Sequence, residues 1–139
     1  MKDFTRRMLT LALSLLLLVF AAATKAQTAG DNITAVAPAE FLSAMQNDAN
    51  AVVLDVRRPS EYAEGHLAAA LQLNWLDKAT WQNGMKCLSK EPTYYIYCRS
   101  GRRSHEAATD MLERGFKVVE LEGGIQNWQS HDMPVDKEE

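Results

Sequence analysis

Tyr94-Tyr95-Ile96-Tyr97-Cys98-Arg99-Ser100-Gly101-Arg102-Arg103-Ser104 decides how the 139-residue chain is read. Its first four residues are aromatic or β-branched in a short apolar run, the pattern of a buried strand. From Cys98 to Arg103 the chain turns polar around a glycine, which reads as a six-residue loop. Ala107, Ala108, Met111 and Leu112 then fall at i, i+1, i+4 and i+5, an apolar stripe of helical period. Ser104 stands where an N-cap or first-turn hydroxyl belongs. A cysteine on such a loop lies over the start of a helix, where backbone N–H groups and the positive end of the macrodipole favour negative charge. Arg99, Arg102 and Arg103 add full positive charges nearby. Both effects favour thiolate over thiol, and the thiolate is the nucleophile. Cys98 is therefore the candidate reactive group. Arg99, Ser100, Gly101, Arg102, Arg103 and Ser104 form the candidate cradle for an anion. The alternative is a buried structural cysteine beside a solvated basic turn.

Outward from this stretch, short strands alternate with helices. Residues 33–36, 51–56, 70–73 and 117–121 read as strands, and 51–56 is a continuous apolar run, as a strand covered on both faces requires. Pro38 opens a helix over 39–47 with Phe41, Leu42 and Met45 on one face. Residues 59–63 form a helical turn ended by Gly65. Residues 75–82 read as a helix stopped by Asn83-Gly84, with Cys87 in the connection before Pro92. The helix after the loop ends near Gly115, which suits a left-handed C′ position. Gly123-Gly124 leads into a last short helix through Ile125 and Trp128, and the charged tail 135–139 is expected to fray. This alternation predicts one α/β domain with a mainly parallel sheet. Ligands of such sheets sit at the carboxyl ends of strands, where Asp55 and Cys98 both fall.

The N-terminus predicts export. Lys2, Arg6 and Arg7 precede an apolar run over 8–23, and Thr24 and Ala26 supply small residues at −3 and −1. That is the pattern of a secretory signal peptide over 1–26, cut after Ala26, and it implies a periplasmic or secreted protein with no stable membrane association after cleavage. Arg6-Arg7 also fits a twin-arginine signal. Four of the 15 Lys/Arg and one of the 18 Asp/Glu fall in this segment, so the remainder has 11 basic and 17 acidic residues and a formal charge of −6. Such a domain is a poor partner for nucleic acid or anionic lipid. Three of its basic residues cluster at the cysteine loop, which points to a small anionic ligand.

These motifs resemble the rhodanese family of sulfurtransferases. The residues that carry the likeness are Leu54-Asp55-Val56-Arg57, Glu61-Tyr62, Gly65-His66-Leu67, the loop 98–104, Gly123-Gly124, Trp128 and Pro134-Val135. The resemblance implies a three-layer fold, a five-stranded parallel sheet with helices on both faces, over residues 27–139 with its core in about 33–134. It implies that Cys98 takes a sulfane sulfur from thiosulfate or a similar small anionic donor. The resulting persulfide would pass it to a thiophilic acceptor, cyanide or a thiol, with no metal or organic cofactor. The chain departs from the family in having Gly65-His66-Leu67-Ala68-Ala69-Ala70 where Gly-His-Ile-Pro-Gly-Ala is common, and Asp132 where a glycine is usual.

Loop chemistry fits the implied reaction. Sulfite leaves thiosulfate carrying negative charge, which arginines and inward-facing amides stabilise as it develops. Among the arginines, Arg103 and Arg99 rank ahead of Arg102. Cysteine phosphatases place an arginine six positions after the cysteine; here that position is Ser104, which argues against phosphate or arsenate chemistry. Asp55 either serves the site, by orienting the loop or pairing with Arg57 or an active-site arginine, or forms a plain strand-end salt bridge with Arg57 or Arg58. His66 is read as an anchor for the turn after Gly65 rather than a base, and His105 as a surface histidine. Trp75, Trp81 and Trp128 are read as core, and Cys87 as a semi-buried inert thiol. Two other classes stay open: a persulfide carrier serving a partner protein, and a thiol–disulfide protein using Cys87 and Cys98.

Overall fold

A strand whose residues are apolar on both sides needs cover on both faces, and β4 (Thr93–Tyr97) has it. In a computed structural model that describes residues 33–138, Tyr94 and Ile96 enter one buried cluster, which also contains Cys98, while Tyr95 and Tyr97 enter the other. The alternation follows the strand's period of two. The segment read as a signal peptide lies outside the described residues. Around β4 stand β1 (Thr34–Val36), β2 (Ala51–Asp55), β3 (Leu71–Gln72) and β5 (Lys117–Leu121), in the order β1-β5-β4-β2-β3. Every neighbouring pair is parallel, so the sheet is a five-stranded parallel one with β4 at its centre.

Among the described residues five helices cover it: α1 (Pro38–Asn47), α2 (Pro59–Glu64), α3 (Lys78–Cys87), α4 (Arg102–Glu113) and α5 (Gly124–Ser130). Trp81 and Met85 of α3 join Ala107, Ala108 and Met111 of α4 in the cluster on one face. Phe41 of α1 joins Ile125 and Trp128 of α5 on the other, with Tyr62 of α2 packed beside them. Trp81 and Trp128 are core, as expected; Trp75 is only partly buried, with Lys78 Nζ 3.0 Å from its ring centroid.

Four local expectations need correction. α3 starts later and runs further than 75–82, straight through Asn83-Gly84. Its start is fixed by Asp77, whose carboxylate accepts from Thr80 N–H at 3.1 Å. Gly84 is no stop: a Cβ there would lie 2.6 Å from Leu73 Cδ2, so its role is close approach between helix and sheet. Cys87 is consequently the last helical residue and is exposed, not semi-buried. The cysteine loop is shorter than six residues, because α4 begins at Arg102 with Gly101 (φ +104°) as its N-cap, which puts Ser104 in the first turn. The tail does not fray at 135: Asp136 exchanges backbone hydrogen bonds with His66 at 2.9 and 2.8 Å, and Val135 packs on the core. Gly115 (φ +85°) adopts the left-handed turn expected of it, and Asp132 (φ +55°) is left-handed too, a conformation that aspartate tolerates better than most residues.

Candidate active site

β4 delivers Cys98 to the carboxyl end of the central strand, and the first turn of α5 holds it there. Ile125 N–H donates to Cys98 O at 2.9 Å and Gln126 N–H to Arg99 O at 3.1 Å. So close an approach excludes any side chain at 124, where a Cβ would lie 2.5 Å from Arg99 O and 2.6 Å from Cys98 O. Cys98 is buried, at 1% exposure. Gly101 N–H donates to Sγ at 3.1 Å, and Ser104 Oγ lies 3.4 Å from it. These are its hydrogen-bonding neighbours among the described residues. The sequence pointed to several inward-facing amides; one, Gly101 N–H, reaches the sulfur.

The arginines of the loop part company. Arg103 spans from α4 to α2 and grips the Glu61 carboxylate with both terminal nitrogens, each at 2.8 Å. That pair draws the Glu61 carboxyl down to about 2 and raises Arg103, the mutual hydrogen bond being the main cause in both. Arg102 points to solvent, 88% exposed, 3.7 Å from Glu106. Arg99 forms no ion pair among the described residues. It lines a cleft of about 450 Å³ beside the loop, shared with Arg57, Glu61, Glu64 and Gln126. Ser100, Arg102 and Arg103 border a second depression, of about 330 Å³, with Leu76 and Glu106. One cradle of three convergent cations is therefore not what forms: carboxylates occupy two of them, and Arg99 is the one facing the cleft free of such a partner.

Asp55 and Arg57 act together behind the loop. Asp55 is fully buried and Arg57 5% exposed. Arg57 Nη2 donates to Asp55 Oδ2 at 2.6 Å and to Gly65 O at 2.7 Å, and Arg57 N–H donates to Asp55 Oδ1 at 2.9 Å. Burial is the largest single influence and works against the guanidinium charge, but the Asp55 hydrogen bond and the neighbouring charges, Asp55 first, together outweigh it and raise Arg57. Tyr97 O–H donates to Asp55 Oδ2 at 2.6 Å and accepts from Leu67 N–H at 3.1 Å. Burial first, then Asp55, pushes the Tyr97 phenol far up, so it stays a donor. Tyr97 directly precedes Cys98, so this network fixes the end of β4 from behind. Of the two expected readings of Asp55, the strand-end pair is the geometry found, and it supports the loop through Tyr97. His66 stacks on Tyr62 at 3.7 Å and its Nδ1 lies 2.9 Å from Tyr62 O, an anchor for the turn after Gly65.

Sequence reasoning passed over Glu120. It lies on β5, 4% exposed, and its Oε1 accepts from Ser104 Oγ at 2.9 Å. His105, largely exposed, places Nδ1 3.2 Å from Oε2. The signal was present: a carboxylate inside a strand that must be covered on both faces needs a polar partner.

Residues 38–131 match the model of the rhodanese-like domain. A sulfurtransferase of Allochromatium vinosum is 37% identical over 98 residues, covering 69% of this chain and 89% of that protein. The thiosulfate sulfurtransferase GlpE of Coxiella burnetii is 37% identical over 86 residues, 61% of this chain and 78% of its own. Among solved structures, a rhodanese-related protein from Thermoplasma volcanium superposes with a TM-score of 0.67 at 28% identity, covering 76% of this chain and 99% of the other. With the match running from α1 to α5, through four of the five strands and the cysteine loop, the chain belongs to the rhodanese-like domain family.

Proposed function

We propose that the chain is an exported single-domain sulfurtransferase that carries sulfane sulfur from thiosulfate, or a similar anionic donor, to cyanide or a thiol through a persulfide on Cys98. The carrying observation is the sulfur itself, at the end of the central strand over the first turn of α4, with Gly101 N–H on Sγ at 3.1 Å. In the first half-reaction the Cys98 thiolate attacks the outer sulfur of thiosulfate. A new S–S bond forms, the old one breaks, and sulfite leaves with its electron pair; Arg99 meets the donor's charge from the cleft. In the second, cyanide attacks the outer sulfur of the persulfide, the S–S bond breaks, and the pair returns to Sγ as thiocyanate departs. Charge and atoms balance in both steps, and no base is required.

Intact mass tests this reading. Thiosulfate should add ~32 Da, one sulfur atom, to the parent protein and nothing to Cys98→Ser, which should also form no thiocyanate above background. Sulfur uptake by Cys98→Ser would refute it. The same spectrum of protein recovered from its own compartment tests export, which predicts a chain beginning at Gln27.

A second reading is favoured by the charge balance. Glu61 holds Arg103 and Asp55 holds Arg57, which leaves the cleft weak for a free dianion. A persulfide carrier loaded by a partner protein would hold a stable +32 Da adduct (about one sulfur) with negligible turnover on free thiosulfate. Fast turnover on thiosulfate rules this out.

A further inference from the structure

The Ser104 hydroxyl has one proton and three acceptors around it. Glu120 Oε1 is at 2.9 Å, Gly101 O at 3.0 Å and Cys98 Sγ at 3.4 Å. The nearest is a buried carboxylate, and hydrogen bonds to ionised acceptors are roughly twice as strong as neutral ones. Its other oxygen faces His105 Nδ1 at 3.2 Å, so the carboxylate is held from two sides. The sulfur-transfer steps above make no use of Glu120.

We propose that Glu120 is a positioning residue for the sulfur chemistry: its carboxylate draws the Ser104 hydroxyl proton away from Cys98 Sγ, so the sulfur attacks with one backbone donor on it instead of two donors. The consequence is directional. A sulfur relieved of a donor is a stronger nucleophile and a poorer leaving group, since nucleophilicity rises and departure slows as the thiol becomes more basic. Glu120 thus favours loading of Cys98 over its discharge. The inference rests on the sulfurtransferase reading for its second arm only.

The test uses the full protein in a Cys87→Ser background, so that the exposed thiol does not react. Alkylation of Cys98 by iodoacetamide, on its high-pH plateau, reads nucleophilicity without any sulfur donor. Single-turnover cyanide discharge of the loaded protein reads the leaving group. Glu120→Asp keeps the charge and draws the oxygens back from Ser104; Glu120→Met, close in size, removes the acceptor outright and serves if the aspartate variant fails to fold. With about a tenfold change in sulfur basicity and a Brønsted slope near 0.45, alkylation should slow roughly threefold and discharge should speed up roughly threefold. The Glu120→Asp effect should vanish when Ser104 is Ala. Two steps moving in the same direction, as loss of packing would make them, or an equal Glu120→Asp effect with and without Ser104, would overturn the proposal. A parent that alkylates yet takes no sulfur from thiosulfate would instead refute the thiosulfate reading, and alkylation alone would then decide this one.

Discussion

Gly124 and Gly115 both sit at positive φ, +62° and +85°, yet they should respond very differently to alanine. At 115 the added methyl meets open space, its nearest neighbour being Lys90 Nζ at 3.9 Å. Only the left-handed backbone then resists, at a cost of about 1 kcal/mol. At 124 the methyl would meet Arg99 O at 2.5 Å, Arg99 C at 2.6 Å and Cys98 O at 2.6 Å, all backbone atoms that cannot rotate away. Relief requires the start of α5 to retreat, which breaks the bonds from Ile125 N–H to Cys98 O and from Gln126 N–H to Arg99 O. Each is worth about 1 kcal/mol, so Gly124→Ala should cost about 3 kcal/mol in all, about 2 more than Gly115→Ala. Denaturant midpoints at unchanged m-value measure both. Turnover separates them further. A displaced Cys98 carbonyl moves the nucleophile, and misplacement of about 1 Å costs up to a hundredfold. Gly115→Ala should keep full activity. Equal destabilisation by the two alanines, or full activity in Gly124→Ala, would refute the claim that contact between α5 and the loop sets the position of the sulfur.

Glu61, held at about 2 by Arg103 against 4.5 when free, contributes stability above pH 4.5 that is lost as pH falls toward 2; Glu61→Gln should flatten that acid slope in pH-dependent denaturation. Because the pair is partly exposed, the loss should be about 1–2 kcal/mol, below what the full shift implies. Asp55→Asn strands the buried Arg57 charge and should cost about 3–5 kcal/mol by denaturant midpoint, whereas Tyr97→Phe, which gives up two hydrogen bonds but no charge, should cost about 1–3 kcal/mol. Arg99→Ala should raise KM for thiosulfate several-fold, while Arg102→Ala, at an 88% exposed position, should move it less than twofold; steady-state kinetics at fixed ionic strength would show the reverse order if the outer arginine were the one that binds.

The sheet was legible because its determinants are local. An unbroken apolar run at 94–97 asks for cover on both faces, and the alternation of strands and helices makes parallel pairing the economical solution. Cys98 was legible for the same reason, since strand, loop and helix are contiguous. What the residues around it do was less so, because each arginine's role depends on which carboxylate reaches it. Glu61 and Arg103 are 42 residues apart, as are Asp55 and Tyr97, and no periodicity links either pair. Asn83-Gly84 misled in the same way: the dipeptide reads as a turn until Leu73, from another element, is seen to need the space.

Glu120 shows how a buried charge on a strand constrains its neighbours. Val118, Glu120 and Leu121 are all buried on a strand beside β4, so the carboxylate had to find a donor within the protein. Glu120 pairs in register with Ile96, two residues before Cys98. At that level of the sheet, near the carboxyl end of β4, the cysteine loop and the first turn of α4 are the nearest source of polar groups, and Ser104 is the hydroxyl that reaches Glu120. An acidic residue on a buried strand, one strand over from the nucleophile and paired two residues before it, therefore finds its partner in the active-site loop. The position of Glu120 on β5 thereby governs the Ser104 hydroxyl proton, and through it how strongly the sulfur attacks.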